Sequence, residues 1–246
     1  MLFDLTIMDR CGSIDRGMNE NSSLQALESR DGWPKAVLFD LLTALLDSWS
    51  LWNAAAGSET AGRAWRAEYL RLTYGCGEYV DYETLVRRAA LNVGLSGSAP
   101  LALEANWLDL QPWSGVAEAL RGLPPHCRLA VVTNCSTRLG RAAAARLDID
   151  WDVIVTAQDA GFYKPHPQPY RLALEQLGLH ASEVAFVAGS SYDMFGTAAL
   201  GLRTYWHNRA GLRPVDGAPA AEIQAPDLDA LIPWLRNFGA ASTSAS

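Results

Sequence analysis

Short runs of uninterrupted apolar residues recur along the chain with helix-patterned stretches between them, and this alternation constrains the fold more than any other feature. The candidate strands are Ala36–Phe39, Leu129–Thr133, Val153–Val155, Val184–Ala188 and Thr204–Trp206. None shows the polar alternation of a strand with one wet face, so each is expected in a parallel sheet covered on both sides. Helical patterns at Val116–Arg121, Arg138–Leu147, Pro169–Leu177 and Asp193–Leu200 fall between them. Strand-helix alternation of this kind predicts an α/β fold with a doubly wound parallel sheet. Ligands of such sheets collect at the carboxyl ends of the strands. That rule singles out Asp40, Thr133, Asn134, Lys164 and the stretch from Ser190 to Asp193.

The segment from Asp47 to Leu110 breaks the alternation. It is helix-rich, carries Trp49, Trp52, Trp65 and Trp107, and contains no strand-like run and no lysine. Its place after the first strand predicts a small helical cap domain, residues 47–110, inserted into a core of residues 34–46 and 111–238. Residues 1–33 are polar and weakly patterned, and are expected to form a loosely ordered extension. The tail 239–246, small and polar, is expected to be disordered.

Composition narrows the partners. The net charge of −7 over 246 residues argues against nucleic acid or an anionic membrane as the main partner. A small anionic substrate stays possible, because one local arginine can dominate a pocket. Lysine is scarce: only Lys35 and Lys164 occur. The four cysteines (Cys11, Cys76, Cys127, Cys135) form no CxxC pair, which fits free thiols in a reducing compartment. The N-terminus lacks the basic and apolar regions of a signal peptide, and no run approaches a membrane span. A cytoplasmic protein is expected.

Four local signals carry chemistry. In AVLFDLLTALLDS (36–48) an apolar strand ends in the lone acid Asp40, a nucleophile or a helix cap. In LAVVTNCS (129–136) Thr133 and Asn134 stand at a second strand tip, where backbone N–H groups can bind an anion; alternatively Asn134 or Ser136 caps a helix. In GFYKPHPQPY (161–170) two prolines stiffen the loop after Lys164, which can keep a neighbouring carboxylate ionised. In VAFVAGSSYDMFG (184–196) small residues lead to Asp193, a catalytic acid or an ordinary first-turn helix acid.

Taken in order, Asp40, Thr133-Asn134, Lys164 and Asp193 resemble the four motifs of the haloacid dehalogenase superfamily, over roughly residues 35–236. The resemblance implies a Rossmann-like core, a helical cap and an Asp nucleophile. Phosphatases of that superfamily carry a second acid two residues after the nucleophile, which protonates the leaving group. Here Leu42 holds that position. They also tend to carry an acid four residues before the last Asp, where this chain has Gly189. A leaving group that needs no protonation fits better. Trp65-Arg66, the aromatic segment Tyr79–Tyr82, Tyr163-Lys164-Pro165 with Tyr170, and Trp206–Arg209 resemble the 2-haloacid dehalogenase branch. Ala188 and Ser190 depart from it, standing where that branch has a serine and an asparagine.

The implied scheme makes Asp40 attack carbon to give an aspartyl ester, with Lys164 keeping it ionised and Asp193 with Ser190 directing water. Leu41, Leu42, Thr133, Asn134, Arg66, Tyr82 and Tyr192 are expected to contact a small carboxylate substrate. Trp49 and Trp52 either belong to a helix core or line the pocket; in the pocket their faces would attract a ring ammonium. That favours the related azetidine-2-carboxylate hydrolases as the alternative. No metal and no cofactor is required. The resemblance also leaves room for a homodimer, for a small-molecule phosphatase and for a non-catalytic binding protein. A phosphonate-cleaving enzyme is disfavoured because the cap has no lysine.

Overall fold

The structure, a computed structural model, describes residues 32–239. Six strands, β1 (Ala36–Phe39), β2 (Arg128–Thr133), β3 (Val153–Thr156), β4 (Val184–Ala188), β5 (Arg203–His207) and β6 (Ile223–Ala225), form one sheet in the order β3-β2-β1-β4-β5-β6. Every pairing is parallel, with Leu38 of central β1 opposite Ala130 on one side and Phe186 on the other. Alternate side chains of the continuous apolar runs feed two separate cores. Val37, Phe39, Val131, Ala185 and Val187 pack on one face, and Ala36, Leu38, Ala130, Val132 and Phe186 on the other. This is the two-sided burial that the lack of polar alternation requires. The edge strand β6 was not predicted: it is three residues long and its central Gln224 is exposed, so it has no apolar run to read.

Helices α1 (Ser48–Ala56), α2 (Glu59–Gly75), α3 (Tyr82–Asn92) and α4 (Ser98–Ala105) all fall between β1 and β2. The segment leaves and rejoins the sheet at one neck, where Leu46 and Pro112 form an antiparallel bridge and the Asp47 N–H donates to the Gln111 carbonyl at 2.8 Å. Its interior is a run of aromatic contacts. Trp52 packs on Trp65 (ring centroids 4.6 Å apart) and on Tyr69 (5.4 Å), Tyr69 on Tyr82 (5.5 Å), and Tyr82 on Trp107 (6.3 Å). Each such buried ring contributes about 1.5–3 kcal/mol by leaving water. The Trp65 and Trp107 indoles donate to the carbonyls of Val86 and Leu139, both at 2.9 Å, so neither N–H is stranded. α1 and α2 cross closely at Gly62, where an added Cβ would lie 2.7 Å from Asn53 Cα.

The remaining helices are α5 (Val116–Arg121), α6 (Thr137–Ala144), α7 (Ala157–Ala160), α8 (Pro167–Leu177), α9 (Asp193–Ala199) and α10 (Leu231–Arg236). α8 begins two residues earlier than predicted. The His166 side chain caps it by accepting from the Gln168 N–H, and Pro167 sits in the first turn, where no N–H is needed. At the termini, the Gly239 N–H donates to the Gly32 carbonyl at 2.7 Å and Trp33 packs on the core, so these residues belong with the sheet domain. Residues 1–31 and 240–246, most of the expected extension and tail, lie outside the described residues. Among the described residues no helix is long and apolar enough to cross a membrane.

Candidate active site

β1 ends at Phe39, and Asp40 follows it at the carboxyl edge of the sheet, 7 % exposed. The chain then turns back on itself. The N–H groups of Thr43 and Ala44 donate to Asp40 Oδ2 at 2.9 and 3.0 Å. The Lys164 ammonium donates to Asp40 Oδ1 at 2.7 Å and also lies 3.0 Å from Asp193 Oδ1, with all three side chains buried. Tyr170 donates its hydroxyl to Asp193 Oδ1 at 2.7 Å.

These contacts set the charges. Burial pushes the Asp40 carboxyl up, but the Lys164 ammonium and the Ala44 and Thr43 N–H groups outweigh it and hold Asp40 below its ordinary value. Burial works against the Lys164 charge too, and the two facing carboxylates overcome it, so the ammonium persists. Asp193 moves the other way. Burial and the nearby Asp40 charge raise it above its ordinary value against the pull of Lys164 and Tyr170. One carboxylate is thus kept ionised and the other is made more basic, a division that suits a nucleophile paired with a proton acceptor.

Arg66, on α2, enters the same cavity and is 8 % exposed. Its Nη1 donates to Ser48 Oγ at 2.7 Å and its Nη2 to Thr43 Oγ1 at 3.0 Å. The Trp49 ring centroid lies 4.1 Å from its guanidinium carbon. Among the described residues no carboxylate comes within ion-pair distance of it, so a buried positive charge is left for a ligand.

The cavity holds about 510 Å³ of space, including its open mouth. Of the expected site residues it brings together Asp40, Leu42, Trp52, Arg66, Tyr82, Thr133, Asn134, Lys164, Ser190, Tyr192 and Asp193. Thr133 Oγ1 is buried there without a protein partner. The Leu41 side chain is fully buried in the core, so only its backbone can serve the site. One expectation is corrected: Trp49 is not among the residues that line the cavity, and the Arg66 guanidinium lies over its ring. Asn134 reaches the wall, but its carboxamide is committed to the Lys164 backbone, accepting from the N–H at 2.7 Å and donating to the carbonyl at 2.9 Å. It therefore holds the lysine loop.

Thr43, Tyr69, Leu70 and Tyr74 also line the cavity and were missed. Arg66, Leu70 and Tyr74 recur every four residues on α2 and so share one face of the helix, a signal the sequence did offer. Tyr74 packs at a tilt on Tyr192 with ring centroids 4.2 Å apart, joining the helical insertion to the loop before Asp193.

A magnesium ion, which phosphatases of this kind of fold use, does not fit these residues. Three of the lone-pair directions of Asp40 are taken by two N–H groups and the ammonium, Asp193 Oδ1 is shared by Lys164 and Tyr170, and among the described residues no group of three His, Cys, Asp or Glu side chains gathers to hold the ion. Position 189 has no room for a carboxylate, since even a Cβ there would lie 2.6 Å from Asp40 Oδ2.

A strand-tip acid held by a lysine from one loop and facing an acid from another defines a hydrolase class built on this sheet. The profile of the haloacid dehalogenase-like hydrolases matches residues 34–201, and the chain belongs to that family of enzymes. Within it, haloacetate dehalogenase H-2 of Moraxella sp. (strain B) is 26% identical over 216 residues, covering 80% of this chain and 96% of that one. The (S)-2-haloacid dehalogenase 4A of Burkholderia cepacia is 28% identical over 222 residues, 82% of this chain and 94% of its own. A solved dehalogenase in an intermediate complex superposes with a TM-score of 0.73 at 27% identity, covering 84% of this chain and 98% of that chain.

Proposed function

We propose that this hydrolase removes halide from small 2-halocarboxylates through an ester on Asp40, with the helices of residues 47–110 serving as the cap. The observation that carries it is the unpaired, buried Arg66 guanidinium facing a nucleophile that has no general acid beside it. Asp40 attacks C2 of the substrate, the carbon–halogen bond breaks, and the halide departs with the bonding pair toward the free N–H groups of Arg66. Leu42, beside the nucleophile, has no proton to give, and halide needs none. The backbone N–H groups of Leu41 and Leu42 have no protein acceptor among the described residues. In this reading they hold the substrate carboxylate together with the Thr133 hydroxyl, which is buried without a protein partner.

In the second step Asp193 takes a proton from water, and the hydroxide attacks the ester carbonyl carbon of Asp40. The ester bond breaks to release a 2-hydroxy acid, and one Asp40 oxygen now comes from water. Ser190, which lines the cavity, helps hold that water in this reading.

Ring opening of azetidine-2-carboxylate is the second reading, favoured by the aromatic walls at Trp52, Tyr69, Tyr74, Tyr82 and Tyr192. Against it stands Arg66, whose buried charge opposes a ring ammonium. Single-turnover reaction in oxygen-18 water tests the chemistry: label is expected in Asp40 and not in the first product. Label in the product with none in Asp40 would overturn the covalent route. Chloride release from 2-chloropropanoate, assayed beside azetidine-2-carboxylate and small phosphate esters, tests the substrate. Turnover of azetidine-2-carboxylate alone would install the second reading, and phosphatase turnover would overturn both.

A further inference from the structure

The loop that follows the nucleophile is held by its carbonyls from outside. The Leu42 carbonyl accepts from the Ser48 hydroxyl, the Thr43 carbonyl from the Trp113 indole at 2.9 Å, and the Leu45 carbonyl from the Trp113 N–H at 2.9 Å. The remaining carbonyl, that of Ala44, lies 2.6 Å from Nδ1 of His207. His207 is the last residue of β5, fully buried and far from Asp40 in sequence. A carbonyl oxygen can only accept, so Nδ1 carries the proton and a neutral ring leaves Nε2 bare. Among the described residues no group meets Nε2 at hydrogen-bond geometry, although the Pro226 carbonyl lies close enough to the ring to favour its charged form. Burial holds the imidazole below its ordinary pKa, with the Arg209 charge acting in the same direction against the pulls of the Ala44 and Pro226 carbonyls and of Asp227. An orphaned ring nitrogen in a core is costly. Its presence marks the other nitrogen's contact as the reason for a histidine here.

We propose that His207 is a positioning residue for the nucleophile: by fixing the Ala44 carbonyl it aims the Ala44 N–H, and with it the Thr43 N–H, at Asp40 Oδ2. Ala44 is thereby gripped on both sides, its carbonyl by β5 and its N–H by the nucleophile. The site's polarity is preset before substrate arrives, and no group has to reorient as Asp40 attacks. Because His207 acts through the loop of Asp40, its role presupposes that Asp40 is the nucleophile. The oxygen-18 experiment decides that point separately on the unmodified enzyme.

The test compares three substitutions. His207→Leu removes the donor while filling the space, and should lower kcat by about tenfold or more with KM within about twofold. His207→Asn places an amide N–H where Nδ1 was and should restore most of kcat despite its smaller volume. His207→Gln places its amide one bond further out and should not. Equal kcat in the Leu and Asn variants, or losses that follow melting temperature rather than the presence of a donor, would overturn the proposal. A measurement on the unmodified enzyme guards against variants that do not fold. Nitrogen-15 NMR of the histidine rings should show His207 as the Nδ1–H tautomer, with its ring proton shifting when the Asp40 ester forms. An Nε2–H tautomer, or a ring proton indifferent to the ester, would overturn it as well.

Discussion

Tyr170 donates to the same Asp193 oxygen that faces Lys164, and the two contacts together restrain a carboxyl that burial drives upward. In the proposed scheme, hydrolysis of the ester needs Asp193 as the carboxylate. The acid limb of the second step should therefore follow Asp193 in the ester, where burial still raises it but the Asp40 charge no longer does, and activity should fall as pH drops through it. Removing the phenol in Tyr170→Phe deletes a bond to the ionised form, so the limb should move to still higher pH, by about one unit. A pH profile of ester breakdown measures this; a limb that stays or moves down would count against Asp193 as the base. Gly189 is a second sensitive position. A methyl there would meet the Ala44 N at 2.5 Å and Asp40 Oδ2 at 2.6 Å, so Gly189→Ala should displace the nucleophile and cost about a hundredfold in kcat. Asp40, Lys164 and Asp193 were legible because strand ends in a parallel sheet converge wherever the helices lie. Ser48, Tyr69 and Tyr74 were not, since their places depend on how the inserted helices cross. Trp49 stayed open between helix core and pocket wall because the sequence shows an aromatic near the site but not that Arg66 lies over its ring.

The inserted helices depend on a single tight crossing. Gly62 of α2 faces Asn53 of α1 with no space for a Cβ. Gly62→Ala would ordinarily stabilise a helix interior by about 1 kcal/mol. Here the overlap should reverse the sign, giving a net loss of about 1–3 kcal/mol, read as a lower urea midpoint. Because α2 carries Arg66, halide-dependent steps should suffer with it. The strands were read nearly to their ends, since two-sided burial writes an unbroken apolar run. Helix ends were read less well: α6 runs from Thr137 to Ala144 where the pattern suggested Arg138–Leu147, although Ser136, a candidate cap in the sequence, does hold its first turn by accepting from the Leu139 N–H. β6 escaped because an exposed edge strand needs no apolar pattern.

Over the whole molecule, acid stability should carry the signature of His207. Its folded pKa is lowered, so between that value and about 6.5, the free imidazole value, the unfolded chain binds the proton and the folded one does not. Stability should therefore fall as pH drops below about 6.5. Urea midpoints at neutral and mildly acidic pH check the slope, which His207→Asn should flatten. The doubly wound architecture was legible from the alternation of runs, and so was the insertion after the first strand. What stayed hidden was how the two parts are bound together: the Tyr69 hydroxyl donates to the Asn134 carbonyl at 3.2 Å, Ser136 to Glu83 at 2.9 Å, and the Trp107 indole to Leu139. Such long-range pairs leave no local pattern. The neck at Leu46 and Pro112 has a consequence for descent. Both ends of the insertion emerge side by side, so the whole segment is exchangeable for another of different length without re-registering any strand. A lineage can thus renew its choice of substrate by transplanting one continuous stretch of gene while Asp40, Lys164 and Asp193 are inherited intact, provided the graft still supplies a hydroxyl at position 48 to grip the loop and a cation where Arg66 stands.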